Sequence, residues 1–140
     1  MFNECLTVSE DWEMFVRLAE KYPVHAINEP LMYYRFKTNG RHYKGSDDFV
    51  KTNIEILKQL YQRQGLPVDG SSQFKKAVAK IYLQGGLQKL KYRSTSQAKA
   101  LLFHPACAPL KFQPQVILAK CACFLPKVLL KLAYRVYCKM

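Results

Sequence analysis

The sequence predicts an α/β fragment followed by a mainly α-helical extension. Two short runs rich in β-branched and aromatic residues, at 24–27 and 31–36, follow a segment with helical periodicity at 10–21. This alternation is typical of an α/β unit. From residue 48 onward, apolar residues recur mainly at helical spacing. We therefore expect two regions, an α/β unit over residues 1–45 and a basic helical extension over residues 46–140.

The first helix is predicted over residues 10–21. Ser9 or Thr7 can cap its N-terminus, and Glu10 and Asp11 place acids in the first turn, as the helix dipole favours. Pro23 ends it. Its predicted buried face consists of the apolar residues at helical spacing, Trp12, Phe15, Val16 and Ala19.

The two predicted strands are separated by a break at Glu29-Pro30, and a polar loop over 37–48 follows them. Asp47 or Asp48 can cap a second helix that runs to about Gln64. Its predicted apolar face comprises Phe49, Ile54, Leu57, Leu60 and Tyr61.

Gly65 and Pro67 end the second helix, and residues 66–72 form the predicted linker. Further helices are predicted at about 73–92, 95–103 and 113–138. Gly85-Gly86 should weaken the first of these, and Pro126 should kink the last.

The charge of the chain is divided unevenly. Residues 1–69 carry nine Lys/Arg and all ten acids, whereas residues 70–140 carry thirteen Lys/Arg and no acid. So basic a half indicates an anionic partner, such as phospholipid headgroups, nucleic acid or an acidic protein surface. The alternative is a solvated helical surface.

The five cysteines are unevenly spaced, which argues against a disulfide framework. We interpret them as reduced, mostly buried thiols, which fits a cytoplasmic protein. No secretory signal or transmembrane span is predicted, because the longest uncharged stretch beyond residue 70 is too short for a span and contains prolines.

One ordered series of short motifs lies within residues 2–37. These motifs are Phe2-Asn3-Glu4, Glu10-Asp11-Trp12-Glu13, Arg17-Leu18-Ala19, Glu29-Pro30-Leu31 and Tyr34-Arg35. In this order and spacing they resemble the C-terminal part of the catalytic domain of family 2 glycosyltransferases of the GT-A fold. The resemblance covers about a quarter of the chain and implies a role in polysaccharide biosynthesis.

The resemblance implies an inverting transfer of a sugar from a nucleotide-sugar donor to a hydroxyl acceptor. Asp11 would be the general base that removes the hydroxyl proton, with Glu10 in support. Trp12, Tyr34 and Arg35 would contact a glycan or lipid-linked acceptor. From the residues alone, Asp11 is better explained as a helix N-terminal acid, and the spacing of Trp12 favours core packing.

Full-length relatives would hold a divalent metal, Mg²⁺ or Mn²⁺, through an Asp-x-Asp motif and a late histidine. The sequence contains no such motif, and Lys37 stands at the position of that histidine, with His42 five residues later. We therefore expect no cofactor or metal in this chain. We also expect a truncated enzyme that is inactive alone, because the nucleotide-binding half is missing.

The C-terminal segment places Lys127, Lys131, Arg135 and Lys139 at intervals of four among apolar residues. This pattern suits a helix over 113–140 that lies on an anionic membrane surface, on the inner face of the cell membrane. A helix packed on its neighbours fits equally well. The alternative function is a small basic module that binds anionic membrane or nucleic acid without catalysis. Nucleic acid is disfavoured, because the aromatics form no stacking platform.

Overall fold

The computed structural model describes residues 2–33, 48–91 and 94–124 of the chain. The helices in these ranges are α1 (Glu10–Ala19), α2 (Asp48–Arg63), α3 (Ser72–Lys91), α4 (Thr95–Leu102), a 3₁₀ helix (Pro105–Leu110) and α5 (Pro114–Ala122). The predictions for Tyr34, Arg35, Lys37, His42, Pro126 and the basic residues of the C-terminal segment lie outside these ranges.

Helix α3 is the central element, because two hydrophobic clusters meet on it. One cluster joins α3 to α2 and contains Val50, Leu57, Phe74 and Ile81, with Tyr61 and Phe74 packed edge to face at 5.1 Å. The other cluster joins α3 to α4, the 3₁₀ helix and α5. Its buried members are Ala79, Leu83, Leu90, Ala98, Leu102, Leu110, Val116, Ala119, Ala122 and Cys123.

The glycine pair inside α3 lets its neighbours approach closely. A Cβ atom on Gly85 would lie 2.7 Å from Val50 Cγ2 of α2, and one on Gly86 would lie 2.5 Å from Leu102 Cγ of α4. Any larger side chain would therefore push these helices away from α3. Gly85-Gly86, which has a low helix propensity, is thus also the site at which α2 and α4 pack against α3.

Helix α2 ends as its sequence predicts. Gly65 has φ 64°, and its N–H donates to the carbonyl of Gln62, while the N–H of Leu66 donates to the carbonyl of Tyr61. This is the Schellman arrangement, which requires a left-handed residue where only glycine avoids strain. The chain then passes through residues 66–71 to the start of α3.

The predicted α/β fold class is wrong, since no strand forms anywhere in the described ranges. Residues 24–27 and 31–33, which carry the predicted strand signals, are irregular, and their side chains are exposed; Val24 and Ile27 are 76% and 65% exposed. A strand is stable only when a neighbour pairs with its backbone and its apolar side is covered. Local β-propensity without such a partner does not produce a strand.

The predicted buried face of α1 is also wrong for three of its four residues, and the fourth, Val16, is half-buried. Trp12 and Phe15 are 37% and 60% exposed, and Ala19 is exposed, whereas Glu13 is buried. Two polar side chains that flank α1, Ser9 and Glu20, make contact with α2. Ser9 Oγ accepts a hydrogen bond from Asn53 Nδ2 at 3.0 Å.

At the other end of α1, a salt bridge completes the contact with α2. Glu20 Oε2 lies 3.1 Å from Arg63 Nη2. The two contacts pair the start of α1 with the early part of α2 and the end of α1 with the end of α2, so the helices run in the same direction. Among the described helices, none is long and apolar enough to cross a membrane.

Candidate functional site

A cleft of about 420 Å³ lies where α1, α2 and α3 meet. Its apolar floor is formed by Phe49, Leu57, Ala77 and Ile81, which belong to α2 and α3. Its polar and aromatic wall is formed by Ser9, Asp11, Trp12, Asn53, Lys80 and Gln84. The cleft therefore combines an apolar surface with a carboxylate, an ammonium group, two amides and an indole ring.

Asp11 and Trp12 enter the cleft from the first turn of α1. Asp11 is exposed, and its Oδ1 accepts a hydrogen bond of 2.7 Å from the backbone N–H of Trp12. This contact orients the carboxylate at the N-terminus of α1, where the helix dipole favours a negative charge. Of the residues predicted for the site, the structure brings these two to the same cleft.

The other predicted site residues are placed differently. Glu10 begins α1 but is not among the residues that line the cleft. Tyr34 and Arg35 lie outside the described ranges, so their predicted acceptor contacts stay predictions.

Opposite α1, the cleft wall is supplied by residues that the sequence analysis did not single out. Asn53 is buried, and its Nδ2 donates to the carbonyl of Phe49 at 2.7 Å as well as to Ser9. Lys80 and Gln84 are exposed and four residues apart, so they share one face of α3. That i,i+4 polar spacing is the only local signal that could have identified them.

An ion pair between a buried carboxylate and a partly exposed guanidinium lies on α1, next to the cleft residues in sequence. Glu13 Oε1 accepts a hydrogen bond of 2.6 Å from Arg17 Nε, and this bond is the main cause that raises the pKa of the Arg17 guanidinium. Glu13 Oε2 is buried without a hydrogen-bond partner within the described ranges. The pair fixes the polar side of α1 and does not line the cleft.

A second, smaller cleft of about 230 Å³ lies between α2, α3 and α4. Its wall is largely apolar around Gly85 and Leu101, with the amides of Gln88 and Gln97 at its edge. Lys89 also lines it and is buried. It contains no carboxylate or imidazole, so it offers no acid or base pair to a substrate.

Two of the three histidines, His25 and His104, lie within the described ranges. His25 is exposed in the irregular segment that follows α1. His104 precedes the 3₁₀ helix, accepts a 3.2 Å hydrogen bond from Ala106 N at its Nδ1, and stacks on Tyr82 at 4.2 Å. Its side chain therefore caps an N–H at the start of the 3₁₀ helix.

Cysteine placement follows the prediction in part. Cys107 and Cys123 are buried, while Cys5 and Cys121 are exposed. No group of three His, Cys, Asp or Glu side chains that could hold a metal ion occurs within 2–33, 48–91 and 94–124.

Comparison of the chain with protein-family models, with curated proteins and with solved structures finds no match. The glycosyltransferase resemblance therefore rests on the ordered residues between Phe2 and Arg35 and stays a prediction.

Proposed function

We propose that this chain provides the acceptor side of an inverting glycosyl transfer, with a carbohydrate hydroxyl bound in the cleft beside Asp11. The observation that carries the proposal is the meeting of Asp11 and Trp12 with Lys80 and Gln84 around one cleft. The proposal does not require an α/β sheet, because these residues are held by helices.

The chemistry of the cleft suits a sugar. A sugar presents hydroxyls around its edge and C–H groups on its faces, so its binding site needs polar groups beside an apolar or aromatic surface. Lys80 donates hydrogen bonds, and Gln84 both donates and accepts them. The indole of Trp12 supplies a rigid apolar face with one N–H donor.

Asp11 has the role that the reaction needs on the acceptor side. A hydroxyl attacks an anomeric carbon poorly until a base takes its proton, and an exposed carboxylate in the cleft can accept that proton. The hydrogen bond from the backbone N–H of Trp12 holds one oxygen of the Asp11 carboxylate in place. The residues of the cleft are not proposed to bind the nucleotide-sugar donor.

The sole tryptophan of the chain makes acceptor binding measurable, because Trp12 lines the cleft. Maltotriose, cellotriose and chitotriose would be titrated into the full chain while tryptophan emission is recorded. We expect a saturable change with at least one trisaccharide. Lys80→Ala should weaken that binding by about fivefold, the value of one hydrogen bond.

Glu29→Gln is the matched control, because it removes an exposed carboxylate outside the cleft. It should bind the trisaccharide as the wild type does. If none of the three sugars changes the emission saturably up to millimolar concentration, the acceptor site is not here. If Glu29→Gln and Asp11→Asn weakened trisaccharide binding equally, the effect of Asp11→Asn would come from the overall charge of the protein and not from the cleft.

A further inference from the structure

We propose that a surface shared by α4 and α5 docks the protein on an anionic lipid bilayer. This surface, the aromatic–basic face, consists of Lys99, Phe103, Lys120 and Phe124. It is separate from the cleft beside Asp11 and does not depend on the function proposed for that cleft.

The four side chains form one interlocked group. Phe103 and Phe124 meet edge to face, with ring centroids 6.1 Å apart and an interplanar angle of 86°. Lys99 Nζ lies 4.2 Å from the centroid of Phe124, and Lys120 Nζ lies 4.9 Å from that of Phe103. Each ammonium group of one helix therefore lies over the ring that follows the end of the other helix.

The rings remain open to solvent although they touch each other. Phe103 is 50% exposed and Phe124 is 69% exposed. Ile117 and Cys121 are exposed as well and lie four residues apart on α5, on one side of the helix with Lys120, and Phe124 follows two residues after the end of α5. The result is a contiguous apolar strip along α5 that is bordered by ammonium groups.

The charge around this face has one sign. No acidic residue occurs after Asp69, so neither Lys99 nor Lys120 can form a salt bridge with a side chain of α3, α4 or α5. Phospholipid phosphates would supply the missing negative charge. Exposed rings at the boundary between headgroups and acyl chains, with lysines at headgroup level, are the arrangement by which interfacial helices bind.

Other occupants fit this face less well. Single-stranded nucleic acid binds aromatic rings by stacking bases on their faces, but here lysine ammonium groups already lie over the faces of both rings. A symmetric dimer would bring the lysines of two copies together without an acid to separate them, and like charges repel. Docking on a bilayer requires only that the ring edges contact the lipid and that the lysines meet its anionic surface.

The test is co-flotation of the full chain with vesicles of phosphatidylcholine, with or without phosphatidylglycerol, at low and high salt. We expect binding only to the anionic vesicles and a loss of binding as salt rises. Lys99→Gln with Lys120→Gln should weaken it by about fivefold for each lysine. Phe103→Ser with Phe124→Ser should weaken it on the order of tenfold.

Two matched control variants distinguish vesicle binding by this face from binding that depends only on the net charge or the hydrophobicity of the protein surface. Lys75→Gln with Lys76→Gln removes two exposed lysines of α3, and Phe15→Ser removes an exposed ring of α1. Both should float as the wild type does. Circular dichroism would confirm that every variant retains the helical content of the wild type.

Several results would overturn the proposal. The first is no flotation of the wild type with anionic vesicles at low salt. The second is equal loss in the α3 lysine variant, which would mean diffuse charge. The third is full binding by the double phenylalanine variant, which would place the contact elsewhere. The face would also be reassigned if its phenylalanines were needed for dimerisation, or for binding a single-stranded oligonucleotide more tightly than the vesicles.

Discussion

At the scale of single residues, Gly86 determines how closely α4 packs on α3. Leu102 is fully buried, and its Cγ and Cδ2 atoms would lie 2.5 and 2.6 Å from a Cβ atom at Gly86. Both atoms belong to a side chain wedged in the larger cluster, so they have little room to move. The sequence marked this glycine only as a weak point of the helix.

We predict that Gly86→Ala destabilises the protein by about 1–2 kcal/mol. Overpacking costs about 1–3 kcal/mol, and the better helix propensity of alanine returns up to about 1 kcal/mol. The free energy of unfolding in urea measures the difference. Gln73→Ala, at an exposed position of the same helix, should change stability by less than about 0.5 kcal/mol. An unchanged or higher stability of Gly86→Ala would show that α4 does not pack as described.

The buried thiols give a second prediction at this scale. Burial raises the pKa of Cys107 and of Cys123 in the folded chain. The unfolded chain then loses these thiol protons at a lower pH than the folded chain, so the folded state binds more protons in the alkaline range. Its stability should therefore be complete below about pH 8.5 and fall as the pH rises above that value.

Urea unfolding at neutral and alkaline pH, compared between the wild type and Cys107→Ala, isolates this effect. The variant should lose less stability on going to alkaline pH than the wild type loses. Cys121→Ala is the matched control, because that thiol is exposed. Identical pH dependence in the wild type and Cys107→Ala would contradict the assignment.

At the scale of elements, helix boundaries and the apolar face of α2 follow from local signals, whereas the buried face of α1 does not. The predicted ends of α2, α3 and α4 lie within about two residues of the observed ones, because caps, glycines and apolar spacing act within a turn. The buried side of α1 depends on what α2 presents to it. Asn53 presents an amide there, so polar Ser9 turns inward and Phe15 turns outward.

The candidate site divides in the same way. Asp11 and Trp12 could be predicted as neighbours because they are adjacent in the sequence. Lys80 and Gln84 could not be, because their position opposite α1 depends on how α3 packs against α2. The predicted strands do not form at 24–27 or at 31–33, the described part of the second one, for a related reason, since pairing needs a second segment that propensity cannot supply.

The attachment of α1 gives the prediction at this scale. Ser9 has φ 60°, a conformation that strains any residue with a Cβ, and its hydroxyl accepts the bond from Asn53. Ser9→Ala keeps the strain and loses the bond, whereas Ser9→Gly loses both. We expect amide hydrogen exchange in α1 to become faster in Ser9→Ala than in Ser9→Gly. The free energy of opening of α1 should fall by about 1 kcal/mol in Ser9→Ala.

Thr7→Ala is the control, because Thr7 is exposed just before α1. It should leave the exchange of α1 unchanged. If Ser9→Gly exchanges faster than Ser9→Ala, the backbone at Ser9 stores no strain that glycine can relieve.

At the scale of the whole molecule, the uneven charge has a structural counterpart. All ten acids precede α3, and the described acids lie in α1, in α2 or in the segments that flank these helices in the sequence, whereas α3, α4 and α5 carry only basic charges. The cleft proposed for a sugar lies on the first group of helices with α3, and the aromatic–basic face lies on the last two. One part of the molecule could therefore stay at a membrane while another part binds a neutral acceptor.

Because α3 belongs to both hydrophobic clusters, neither cluster can melt without exposing a side of the helix that supports the other. The consequence is thermodynamic coupling, in which α2 at one flank and α5 at the other share a single unfolding transition although few contacts join them directly. Helix α1, held by a hydrogen bond and a salt bridge, stands outside that cooperative unit and can detach while the rest stays folded.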